Sequence, residues 1–271
     1  MTDGWKYYNH AAIPVTAPHE EVNLLPIKDG SIWKLRGRPL LARWTTDWDC
    51  GHKTNWWYII KDEPLDIASL KSKRRYEILK GKRNFEVKKI NPFVYAEDLF
   101  TVTIEAYRGW PEKYRPEVNS KEFKNDILNW SGQNVFGAFD RKDGALSGYA
   151  RLTDYESYAE FSVLRTIPET ERLAVNAAMV AGILEYYGDR LKNGFYINDG
   201  SRSVRHETAF QDYLEKYFGF RKVYCRLRIK YRKGVGLLVK CLYPFREHVT
   251  DKTKIGSQIS GILKMEEIRR N

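Results

Sequence analysis

The stretch Phe195–Tyr224, FYINDGSRSVRHETAFQDYLEKYFGFRKVY, reads as a strand, a polar turn, an amphipathic helix, a glycine stop and a second strand. Phe195-Tyr196-Ile197 is a short run of β-forming residues, cut by the turn signal Asn198-Asp199-Gly200. A helix is expected from near Ser201 or Ser203, whose hydroxyls can accept from its first free N–H groups. Phe210, Tyr213, Leu214 and Tyr217 then fall on one face at helical spacing. Gly219 suits the left-handed residue that closes a helix, and Phe220 opens the next strand.

Working upstream, residues 171–187 predict a helix that is apolar almost all round, as in a helix packed on both sides. Thr166 and Glu169 stand before it at capping-box spacing. Residues 134–140, 146–153 and 158–164 read as three strands, the first two joined by the turn Arg141-Lys142-Asp143-Gly144. Residues 94–107 and 121–130 read as helices. Downstream, residues 224–231 and 236–243 read as paired strands, and 255–268 as a short helix. The first sixty residues, rich in Trp and Tyr and broken by Pro and Gly, read as strands at 31–35, 39–45 and 56–60 between loops. A helix over 67–82 and a half-buried strand at 85–90 follow.

From Pro92 this order is helix, helix, three strands, helix, strand, helix, strand, strand. Together with the tyrosine and Gly-Phe signature of Tyr213-Leu214-Glu215-Lys216-Tyr217-Phe218-Gly219-Phe220, it resembles the GNAT acyltransferase fold over about 150 residues. Upstream, Trp57–Asp62, the basic run Leu70–Tyr76, Lys80-Gly81 and Glu86-Val87 resemble the segment that precedes the GNAT half in Fem-type aminoacyltransferases. The resemblance implies an α+β fold: a mixed, mainly antiparallel central sheet with helices on both faces. A strand-rich extension over 1–91 would precede a GNAT-like domain at 92–246, with a tail at 247–271. The implied chemistry is transfer of an acyl or aminoacyl group to an amine.

Lysine and arginine number 46 against 35 aspartates and glutamates, a formal charge of +11. That field favours anionic partners, among them nucleic acid, nucleotide cofactors, sugar phosphates and acidic membrane faces. No apolar run is long enough to span a bilayer. The N-terminus lacks the basic start and apolar middle of a secretory signal, and three scattered cysteines make no disulfide framework. A cytoplasmic location is the expectation, and oligomeric state is left open.

The resemblance implies cofactor contacts from the strand before the buried helix and from that helix's start, here Ser162, Leu164, Arg165 and Asn176. The loop that would cradle pyrophosphate, Arg165–Arg172, has no glycine and two glutamates. It suits such a phosphate poorly, so acyl-CoA and aminoacyl-tRNA both stand as donors. An amine must lose a proton before it attacks a carbonyl. Glu160 lies where the fold often keeps a carboxylate for this, and by alternation it would share a face with Ser162 and Leu164. His206 extends the inward stripe of the signature helix as a second base or acid. Tyr213 stands where GNAT enzymes often keep a tyrosine that protonates the leaving thiolate. For each of these, a plain packing or surface role competes.

Residues 71–83 hold seven lysines and arginines and one acid, Glu77. Ile67, Leu70 and Ile78 would share a narrow apolar face with Arg74. Arg74, Arg75 and Lys80, with Asp199 and Arg202 at the turn, form the expected substrate or anion-binding set; Arg74 and Arg75 are capable of bidentate contacts. A solvated basic face is the plainer alternative. The acceptor would be a small-molecule, peptide or sugar amine, with tRNA a possible partner and an acidic membrane a peripheral one. Asp47, Asp49, Cys50 and His52 lack a second ligand pair at zinc spacing, so no metal is expected.

Overall fold

The computed structural model describes residues 4–112, 115–204, 209–249 and 253–270. In chain order the strands are β1 Trp5–Tyr8, β2 Ala11–Pro14, β3 Leu41–Thr46, β4 Trp56–Lys61, β5 Phe85–Ile90, β6 Gln133–Asp140, β7 Leu146–Asp154, β8 Tyr158–Thr166, β9 Tyr196–Ser201 and β10 Arg221–Tyr231. The helices are α1 Leu25–Lys28, α2 Ser72–Asn84, α3 Ala96–Arg108, α4 Ser120–Ile127, α5 Val175–Tyr186, α6 Gly188–Leu191, α7 Ala209–Phe218, α8 Val235–Leu242 and α9 Lys254–Arg270. The chain forms two compact units: Met1–Ile59 with Ser201–Ala209 and Lys222–Asn271, and Ile60–Gly200 with Phe210–Arg221.

In the second unit the strand order is β9-β8-β7-β6-β5, antiparallel except for the β8–β9 pair. Helices cover both faces. Val87 of β5 meets Gly182 of α5, where an added Cβ would lie 2.6 Å from the valine. Ile90, three residues along the same strand and so on the opposite face, packs with Leu99 and Val102 of α3. The core on that face includes Phe123, Trp130, Val135 and Tyr149. Helix α5 is buried nearly all round, as its sequence requires, because α2 covers its outer side. At Gly81 of α2 a Cβ would sit 2.5 Å from the Ala174 carbonyl oxygen and 2.8 Å from the Ala178 nitrogen, so only glycine permits this approach.

The first unit has the order β1-β2-β3-β10-β4. Small and aromatic residues fill it: Trp5, Ala12, Ile32 and Ala42 in one cluster, Trp56, Cys225 and Leu227 in another.

Several sequence expectations are corrected. Residues 31–34 form a 3-10 turn instead of a strand, because the Asp29 side chain accepts the Ser31 N–H at 2.8 Å and Gly30 takes φ 78°. Residues 236–242 lie in the helix α8 and Tyr243 opens a 3-10 turn, so no strand forms here, and β10 pairs with β3 instead, Arg226 opposite Thr46 and Tyr231 opposite Leu41. A short apolar run fits either period. The basic helix starts at Ser72; Asp66 Oδ1 accepts the Ala68 N–H and holds Ile67 and Leu70 in a turn outside it. The signature helix does not begin at Ser201 or Ser203. Arg202 N–H donates to the Trp57 carbonyl at 2.8 Å, and the chain stays extended past the turn residues. Nor do Thr166 and Glu169 cap α5: the Thr166 hydroxyl donates to Asn176 Oδ1, and a 3-10 segment, Pro168–Leu173, intervenes.

Candidate active site

Strands β8 and β9 pair in parallel only at Tyr158 with Tyr196, Ala159 with Ile197 and Glu160 with Asn198. Both continue beyond, to Thr166 and Ser201, so they part at Glu160 and Asn198. Helix α7 spans the fork. Phe210 meets Phe161 of β8 edge-on at 5.8 Å, and Gln211 Nε2 donates to the Asp199 carbonyl of β9 at 3.1 Å.

A β-bulge lies just past the fork. Arg151 is opposite Val163 and Leu152 opposite Phe161, which leaves Ser162 as the extra residue. This overturns the expected alternation. Phe161 touches Phe210, and Leu164, three residues on, lines the same cleft as Phe210, which an unbroken strand would not allow. Ser162 is exposed on the bulge, within hydrogen-bond distance of Thr153 Oγ1, and is not among the residues that line the cleft.

The cleft beyond the fork has a volume of about 530 Å³. Tyr107 of α3, Trp110 just after it, Leu164 and Arg165 of β8, Glu171 of the 3-10 segment, Asn176 of α5, and Phe210 and Tyr213 of α7 are among the residues that line it. The Arg165 guanidinium is held by hydroxyls: Nη1 lies 3.3 Å from Thr103 Oγ1 and 3.2 Å from the Tyr149 hydroxyl, and Nη2 donates to the Tyr107 hydroxyl. No carboxylate pairs with it among the described residues. Sequence reasoning missed Thr103, Tyr107 and Tyr149. Thr103 carried a signal, being a polar residue one turn past Leu99 on the inward stripe of α3.

At the fork, the Asn198 side chain lies 3.5 Å from Glu160 Oε2. Burial pushes the Asp199 carboxyl up to about 7, a hydrogen bond from Gln211 opposes this, and the Glu160 charge adds to it. Asp199 was expected among the anion-binding residues. Beside the Glu160 carboxylate, its carboxyl offers an anion no positive charge. Tyr213 is pushed above the ordinary tyrosine value by burial, then by the charge of Glu77 on α2. It stays a proton donor through the neutral range.

Arg74 is half-buried and Arg75 exposed on α2, with Lys80 beyond them. Lys71, Lys73, Arg74, Arg75, Lys80 and Arg83 form no ion pair among the described residues, whereas Lys82 pairs with Glu185. Arg202 belongs to the first unit, with its guanidinium on the Asn55 carbonyl at 2.8 Å. His206 lies outside the described residues. Among those described, no three His, Cys, Asp or Glu side chains converge as metal ligands.

The start of α5 does not fit a CoA pyrophosphate. Ala174, at φ 65°, takes the left-handed position that favours glycine. Glu169 and Glu171 precede it, and α2 packs over this turn at Gly81, with Asn84 Nδ2 donating to the Leu173 carbonyl.

No family profile and no curated protein matches the chain in sequence. Solved structures do match in fold. FemX superposes with a TM-score of 0.57 at 10% identity, over 86% of this chain and 83% of its own. L-PGS from Bacillus licheniformis gives 0.50 at 13% identity, over 98% and 85%. A C-terminal domain assigned to a lysylphosphatidylglycerol synthetase of Agrobacterium fabrum also gives 0.50 at 13%, over 87% and 82%. The chain therefore has a GNAT-type α+β fold of the Fem-like kind, as the order of its elements implied.

Proposed function

We propose that the protein is an N-acyltransferase that moves an acyl or aminoacyl group onto an amine. The observation that supports this best is the fork of β8 and β9 at Glu160 and Asn198, next to a cleft that Leu164, Arg165 and Tyr213 line. The ammonium form of the acceptor gives one proton to Asp199, assisted by Glu160, and its nitrogen lone pair attacks the acyl carbonyl carbon. The carbonyl π electrons move onto oxygen as the tetrahedral adduct forms. Collapse of the adduct expels the donor's thiolate or alkoxide, which takes the Tyr213 proton. The new amide nitrogen gives its second proton back to the tyrosinate, so one proton is released in all. His206 remains a candidate for the same proton traffic, and Ser162, Leu164, Arg165 and Asn176 for holding the donor.

The cationic face of α2, with Arg74, Arg75 and Lys80, suits the anionic part of a donor or of a cell-envelope or sugar-type acceptor. The misfit at α5 favours aminoacyl-tRNA over acyl-CoA as donor. The test is to mix purified protein with either donor and a panel of amino sugars and peptide amines, and to read amide formation by mass spectrometry. Asp199→Asn is expected to lower turnover about 100-fold or more, and Tyr213→Phe to slow leaving-group departure. Product formation unchanged in both variants would remove this machinery from the mechanism. A second reading, RNA binding without catalysis, rests on the unpaired cations of α2 beside the exposed Tyr76.

A further inference from the structure

The first unit holds a cavity that acyl transfer does not use. Its volume is about 690 Å³, within the range of small-molecule sites. Leu41, Ile262 and Met265 give it an apolar wall, and no aspartate or glutamate lines it among the described residues. Into it faces Arg43 of β3, with a guanidinium that has almost no partner. Nη1 lies 3.9 Å from the Met265 sulfur, a weak acceptor, and the group sits 5.9 Å from the Trp56 ring centroid. Among the described residues it has no carboxylate and no carbonyl. Burial lowers its pKa below the ordinary arginine value, opposed by the Tyr58 and Tyr8 hydroxyls.

A half-buried guanidinium with only a sulfur acceptor is costly, and an apolar side chain would pack opposite Ile229 at less cost. The other polar groups do not explain it. His10 has both ring nitrogens engaged, one with Tyr7 and the other with Gln258. Arg202, also lining the cavity, adds a second positive charge.

We propose that this cavity binds an organic anion, one carboxylate or phosphate carried on an apolar body, with Arg43 as its counter-ion. The planar fork of arginine matches either anion through two parallel hydrogen bonds, while the apolar wall takes the body.

The test uses the full chain in thermal-shift and calorimetric titrations with octyl phosphate, octanoate, octanol and inorganic phosphate. Octyl phosphate or octanoate is expected to raise the Tm, octanol to have no comparable effect, and inorganic phosphate to bind at least about tenfold more weakly. Arg43→Met should weaken anion binding by about 10- to 100-fold while leaving the free protein at least as stable as the wild type. Arg43→Lys should retain part of the affinity. Lack of a shift with either organic anion would overturn the proposal, as would an equal shift with octanol or undiminished binding by Arg43→Met. Inorganic phosphate binding as tightly as octyl phosphate would overturn the organic-body assignment. A loss of stability in free Arg43→Met would make the arginine structural and count against the site.

Discussion

At the scale of single residues, Asp199 joins geometry to pH. Burial, with the nearby Glu160 charge, places its carboxyl at about 7 against an ordinary 3.8. A base works only when ionised, so kcat/KM is expected to rise with pH through an apparent pKa near 7. Glu160→Gln removes the neighbouring charge, lets Asp199 ionise earlier, and should move that limb to lower pH; a limb that stays put would dissociate the two carboxyls. The same shift has a sign for stability. The unfolded chain ionises this group from about 3.8 and the folded chain only near 7, so stability falls as pH rises across that window. Asp199→Asn should therefore be more stable than wild type above pH 7 in urea melts while losing activity, the pattern of a residue kept for chemistry at some cost in folding.

At the scale of elements, the close packing of α2 on α5 fixes where the basic helix lies. Gly81→Ala would drive a methyl against the Ala174 carbonyl and the Ala178 nitrogen, backbone atoms that cannot swing aside. Overpacking of this kind costs about 1–3 kcal/mol, against a helix-propensity gain of at most about 1 kcal/mol. Urea denaturation should show net destabilisation; an unchanged midpoint would mean that the two helices slide apart freely. Here too lies the limit of what the chain's pattern can tell. The long helices and the hairpin β6–β7 were legible because period and turn chemistry agree over many residues. The run 236–243 was not, since Leu237 and Leu238, 68% and 62% exposed, look like strand core in sequence and are solvent-facing helix in fact. Within the site, Leu164, Arg165, Asn176 and Tyr213 were legible through the resemblance and do share one cleft. The raised pKa of Asp199 was not, because burial is a tertiary property. The bulge at Ser162 was hidden for a related reason: alternation assumes an unbroken ladder, and only the register with β7 reveals the extra residue.

At the scale of the whole molecule, the question is what a charge of +11 attracts. Net charge alone raises encounter rates with any polyanion and says nothing of which face binds it. The distribution is more informative. On α2, five cations lack ion pairs among the described residues, and the one acid, Glu77, is near enough to raise the pKa of Tyr213 in the candidate cleft. A basic helix beside the reacting groups suits a large anionic donor whose acyl end must enter the cleft while its phosphates stay outside. If that donor is aminoacyl-tRNA, binding should weaken steeply with salt as counterions are released. Replacing Arg74, Arg75 and Lys80 together by glutamine should then lower the log–log salt slope by about 2, and it should raise KM for the tRNA donor more than it lowers kcat, because these side chains hold phosphates and touch no reacting atom. Filter binding of tRNA across a salt series, for wild type and the triple variant, measures the slope directly. An unaltered slope would move the tRNA to another face of the protein. Unaltered KM with a reduced slope would make the α2 contact a general polyanion attraction unconnected with the transfer.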